Sequence, residues 1–229
     1  MKTQIKKLKS SKLFYNKWPY KVECKQVGAS RIVHGGVDVV REWCATGKGM
    51  HVDRISALQI DKADYLEFTN LVAPYIDNPA VKIRVEGSHF NLFCIDKSIL
   101  ETIDKDLNKW IRKISGPTTD EELEFLLNNG HKKILRDVLP KEKYKYRIYF
   151  KSKFPADKRL SFITWADKYG DKLDISDTSR RWLLSNRQWA QDPFMYVEDD
   201  KMLSMAGMYL SGYVKKVEEF ILRETAFPV

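Results

Sequence analysis

The chain is 229 residues long, with 43% hydrophobic and 31% charged residues. That apolar share builds a core and argues against disorder, and no apolar run approaches the roughly 20 residues that a bilayer-spanning helix needs, so no membrane crossing is expected. The net charge of +9 points to an anionic partner such as RNA or DNA.

The N-terminal stretch carries Lys2, Lys6, Lys7 and Lys9 with no apolar segment behind it, which argues against secretion. The cysteines Cys24, Cys44 and Cys94 are odd in number and widely spaced, as expected of reduced thiols in a cytoplasmic, intracellular protein. Positive charge is concentrated in two places. From Lys2 to Lys25 eight lysines face one acid, Glu23, and from Lys132 to Arg159 eleven Lys or Arg face Asp137, Glu142 and Asp157. Such clustering suits a polyanion better than an evenly solvated surface does.

In chain order, residues 1–17 read as a flexible basic arm. Tyr20 to Lys25 alternates as a strand, 37–45 reads as a helix ended by Gly47 and Gly49, and 62–76 as a helical insertion. A hairpin follows, with strands 81–86 and 89–95 about a Gly87-Ser88 turn. Ile99, Ile103, Leu107, Trp110, Ile111 and Ile114 recur at helical spacing, predicting a helix over 97–113. Gly116-Pro117 closes a first unit spanning 18–116. Thr119 with Glu122 three residues on is a capping box, opening a helix over 120–139 that joins the halves across 117–139.

The second unit, 140–229, reads as strand 144–151, helix 158–169 closed by Gly170, strand 172–176, a polar excursion through Arg187, strand 194–197 and helix 201–222. Both halves thus read β-α-β-β-α. Trp43 and Trp165 stand near the ends of corresponding helices. The fold expected is α+β, two tandem ferredoxin-like units with helices packed on antiparallel sheets.

The strand over 144–151 carries the main functional signal. Alternation sends Tyr144, Tyr146, Ile148 and Phe150 toward the helices and Lys145, Arg147, Tyr149 and Lys151 outward. Cations for phosphates and a ring for base stacking suit single-stranded nucleic acid, although a wet antiparallel sheet also carries Lys and Arg routinely. Lys82 and Arg84 alternate in the same way in the first half. Arg180, Arg181, Arg187 and Trp189 lie in the polar excursion, where Arg and Trp together clamp a backbone and stack on bases; Trp182 beside them reads more readily as core.

His34-Gly35-Gly36 is a turn, or a general acid or base in a metal-independent RNA endonuclease. Cys44, His51 and His34 lack the paired spacing of a metal site. Glu198-Asp199-Asp200 precedes a helix as Asp96 does, so capping accounts for it better than a cation does. No cofactor or metal is expected. Met202, Met205 and Met208 suit a core or a helix-helix interface, which admits an assembly protein with a basic arm, homo-oligomeric through its last helix. The leading expectation is a non-enzymatic nucleic-acid-binding protein of viral or mobile-element type.

Overall fold

A computed structural model describes residues 5–47, 60–130, 132–185 and 190–227. The chain divides into two compact units, Met1–Asn128 and Asn129–Val229, and each is built around one five-stranded sheet.

In the first unit the strands are β1 (Lys6–Lys9), β2 (Tyr20–Lys25), β3 (Val81–Glu86), β4 (His89–Cys94) and β5 (Ile111–Gly116), in the order β1-β5-β2-β4-β3. Tyr20, Val22 and Cys24 on β2 point into the core and alternate with Lys21, Glu23 and Lys25 on the other face. The crossover from β2 to β3 runs through α1 (Ala29–Gly35), α2 (Val37–Thr46) and α3 (Lys62–Ile76). Gly28 precedes α1 at φ 79°, and the Tyr65 hydroxyl donates to its carbonyl at 2.7 Å, which docks α3 on the start of the crossover. Asp61 caps α3 by accepting from the amides of Ala63 and Asp64. That helix buries Tyr65, Phe68, Val72 and Tyr75 against Phe90, Leu92 and Trp110.

The helix predicted over 97–113 is shorter. It is α4 (Lys97–Leu107), capped by Asp96, whose carboxylate accepts from the Ile99 amide at 2.9 Å. Ile111 and Ile114 belong to β5, where they pair with Cys24 and Val22. Their three-residue spacing continued the helical stripe, but these side chains are β-branched and reach the same core from a strand. The basic arm is corrected too: Lys6–Lys9 is an edge strand parallel to β5, and Leu13 and Trp18 beyond it are buried.

The second unit repeats this plan. Its strands are β6 (Lys133–Arg136), β7 (Tyr146–Phe150), β8 (Leu173–Ile175), β9 (Phe194–Val197) and β10 (Val214–Leu222), in the order β6-β10-β7-β9-β8. Its helices are α6 (Ala156–Asp167), α7 (Asp177–Leu183), α8 (Asp200–Tyr209) and the short α9 (Arg223–Ala226), while α5 (Asp120–Asn129) lies at the boundary between the units. The Thr119 hydroxyl accepts from the Glu122 amide as the capping box requires. The joining helix ends at Asn129, however. Gly130 at φ 55° turns the chain and Lys133–Arg136 enters the second sheet parallel to β10. The helix over 201–222 is likewise corrected: Gly212 at φ 81° ends the turn after α8, and the segment Val214–Leu222, with β-branched Val214, Val217 and Ile221, forms β10, antiparallel to β7.

Setting aside the leading strands β1 and β6, and the short α7 inserted between β8 and β9, each unit follows the order β-α-β-β-α-β, with its last strand beside its first and its second strand at the edge. This is the two-fold ferredoxin-like α+β architecture, with mixed sheets that are mostly antiparallel.

Candidate nucleic-acid interface

On β7, Tyr146, Ile148 and Phe150 join the core of the second unit. Arg147 and Tyr149 take the opposite face, as alternation requires. Opposite Arg147 stand Tyr196 on β9 and Glu218 on β10; opposite Tyr149 stand Phe194 and Lys216. The outer face is therefore a lattice of rings and charges. The Arg147 guanidinium lies 5.0 Å from the Tyr149 ring, 5.5 Å from Phe194 and 5.4 Å from Phe220, and the Lys216 ammonium lies 4.2 Å from the Tyr149 ring. Phe194 meets Tyr196 edge-on at 5.3 Å. Tyr144 precedes the strand, and instead of turning toward the helices it stacks on Tyr196, a departure from the expected alternation.

The electrostatics of this face centre on Glu218, which is fully buried. Its carboxylate accepts from Arg147 Nε at 2.9 Å and from Lys216 Nζ at 2.7 Å. Burial pushes the carboxyl up, but the hydrogen bonds from Lys216 and Arg147 outweigh it and hold the group below its ordinary value. Two cations on one carboxylate leave one positive charge. Arg147 retains only 14% side-chain exposure against 32% for Lys216, so Arg147 is a half-buried organiser held on Glu218 rather than the outward cation alternation implied. Burial also pushes the Tyr149 hydroxyl up to about 12, keeping the phenol neutral.

Lys145 leaves this lattice. Its ammonium pairs with Asp200 at 3.3 Å and Glu219 at 3.6 Å, and the Tyr146 hydroxyl also donates to Asp200. The hydrogen bonds from Tyr146 and then Lys145 hold the Asp200 carboxyl below the ordinary aspartate value. Lys151 donates to the Gly212 carbonyl at 2.8 Å.

The matching face of the first unit is partly roofed by its own chain. Phe93 on β4 stands where β9 carries its rings. Phe14 and Tyr15 pack on it at 5.6 and 5.0 Å. Arg84 donates to the Tyr15 hydroxyl at 2.7 Å and pairs with Glu86 at 2.6 Å, while the Lys82 ammonium lies 4.8 Å from the Tyr15 ring. The two predicted cations thus hold an aromatic of the N-terminal segment.

The remaining predicted residues do not join either face. Arg180 on α7 pairs with Asp167, and Arg181 is exposed on the same helix. Trp182 is buried in the core, 4.4 Å under the Arg159 guanidinium. Arg187, Trp189 and His51 lie outside the described residues. His34 is exposed in the last turn of α1. Asp199 caps α8 by accepting from the Met202 amide at 2.7 Å, in keeping with the capping role weighed for that acidic run. Among the described residues no three His, Cys, Asp or Glu gather to hold a metal ion, and no helix is long and apolar enough to cross a membrane. Sequence reasoning missed Phe194, Tyr196, Lys216, Glu218 and Tyr15. Alternation in Phe194-Met-Tyr-Val197 carries the signal for the first two; Lys216 and Glu218 were hidden by reading β10 as helix.

No protein-family model matches the chain, and neither the curated proteins nor the solved structures give a match.

Proposed function

We propose that this protein binds single-stranded nucleic acid, RNA or DNA, on the outer faces of its sheets, with the face of the second unit as the main platform. The observation that carries this reading is the half-buried row Tyr149, Phe194 and Tyr196 on adjacent strands, with Arg147 and Lys216 over the Tyr149 ring. Rings on neighbouring strands give successive bases a π-surface, and the cations offset phosphate charge. The corresponding face of the first unit is covered, with Phe93 beneath Phe14 and Tyr15, so the second unit carries the reading. Arg147 acts by fixing the rings, whereas Lys216 is the more exposed cation.

The test is a titration of a labelled oligonucleotide of roughly 30 nucleotides across a salt series, in which the slope of log affinity against log salt reports phosphates neutralised. Binding that strengthens as salt falls, and weakens in Phe194→Ala and Tyr149→Ala, is expected. Absence of binding at low salt would remove the proposal.

A further inference from the structure

The loops at one end of the second sheet enclose a cavity of about 500 Å³, within the range of small-molecule sites. Lys151, Ser152 and Lys153 line it from beyond β7, Asp192 and Pro193 from before β9, and Lys215 from β10. Backbone pairing holds these walls: the Phe150 amide donates to the Pro193 carbonyl and the Lys151 amide to the Tyr213 carbonyl, both at 2.8 Å. Lys215 and Asp192 pair at 2.6 Å and cancel each other's charge. Lys151 donates to the Gly212 carbonyl at 2.8 Å, a neutral acceptor that leaves its charge standing, and among the described residues no carboxylate pairs with Lys151 or Lys153. Two positive charges therefore remain on the lining. The cavity adjoins the ring row of the outer face, because Pro193 and Lys215 are chain neighbours of Phe194 and Lys216. Lys151 follows Tyr149 by two residues, about 6.6 Å of extended chain.

We infer that this cavity takes the terminal phosphate monoester of a single strand whose last base stacks beside Tyr149 and Phe194. An internal phosphodiester carries one negative charge, whereas a terminal monoester carries close to two at neutral pH. Two uncompensated lysines therefore match the end of a strand better than its interior. The ammonium groups donate charge-assisted hydrogen bonds to the phosphate oxygens, and the half-buried Ser152 hydroxyl adds a third donor. A 5′-phosphate and a 3′-phosphate share this chemistry. The inference rests on the nucleic-acid reading above.

Binding isotherms of the full chain with single strands of about ten nucleotides, both RNA and DNA, test it. Each strand is prepared with a 5′-phosphate, with a 3′-phosphate and with hydroxyl ends, and a hydroxyl-ended strand two nucleotides longer matches the phosphorylated ones in total charge. At least one phosphorylated form is expected to bind about tenfold tighter than the charge-matched strand, and the form that does so assigns the end. Lys153 is exposed, so Lys153→Gln removes the preference without changing the melting temperature. Equal affinity for the charge-matched strands overturns the inference, as does a preference that survives in the Lys151→Gln, Lys153→Gln double variant. If strands then still bind and Tyr149→Ala weakens them all alike, the sheet-face proposal survives alone. If the end preference holds while Tyr149→Ala and Phe194→Ala leave affinity unchanged, only the cavity survives.

Discussion

Replacing Glu218 with glutamine removes the one carboxylate that Arg147 and Lys216 share while keeping the size of the side chain. Both cations then face a neutral amide in a site where Glu218 has no solvent exposure and Arg147 has 14%. Loss of one partner from a buried ion pair costs about 3 kcal/mol or more. For a unit of this size that lowers the melting midpoint by roughly 12 to 24 °C. Calorimetry on the full chain reads the shift in the transition of the second unit. The wild-type carboxyl sits below its ordinary 4.5 in the folded chain, so its contribution is present above that pH and fades as pH falls through the lower folded value; Glu218→Gln loses that acid dependence. A double variant, Arg147→Met with Glu218→Leu, regains much of the lost stability, since neither charge is left stranded and Lys216 can turn to water. A midpoint within a few degrees of wild type for Glu218→Gln would refute the buried-pair account.

Phe194→Ala and Tyr149→Ala each weaken oligonucleotide binding by about 1–3 kcal/mol if their rings stack on bases, read in the same salt titration. Gly116→Ala places a Cβ 2.5 Å from the Tyr20 ring, so overpacking costs about 1–3 kcal/mol, measured by chemical denaturation. Burial pushes the Cys24 and Cys94 thiols up to about 12, whereas Cys44 is half-buried; a thiol reagent in mildly alkaline buffer therefore labels Cys44 first, and fast labelling of all three in the folded chain would contradict the burial.

Strand alternation in β2, β3 and β7, the hairpin that adds β4, and the capping aspartates Asp96 and Asp199 were legible because each depends on neighbours in sequence. What failed was local ambiguity between helix and strand. Ile111 and Ile114, like Val214, Val217 and Ile221, keep a three- or four-residue spacing that extends a helical stripe past the point where the chain turns into β5 or β10. Lys6–Lys9 has no apolar pattern of its own, and only its pairing with β5 makes it a strand. The face of Arg147 was readable, but its neutralisation was not, since Glu218 lies 71 residues further on.

The leading strand of each unit has a kinetic consequence. During synthesis Lys6–Lys9 emerges before the other strands of its sheet, yet its partner is the final strand of that sheet, with Lys6 against Lys113; in the second unit Lys133 waits for Glu219 in the same way. Neither sheet can therefore complete its hydrogen-bonded order until its last strand has left the ribosome. Such distant pairing slows folding and, in the first unit, leaves the lysine-rich β1 with an unpaired edge in the interval. Its charges then repel the edge-to-edge association that an apolar strand would invite.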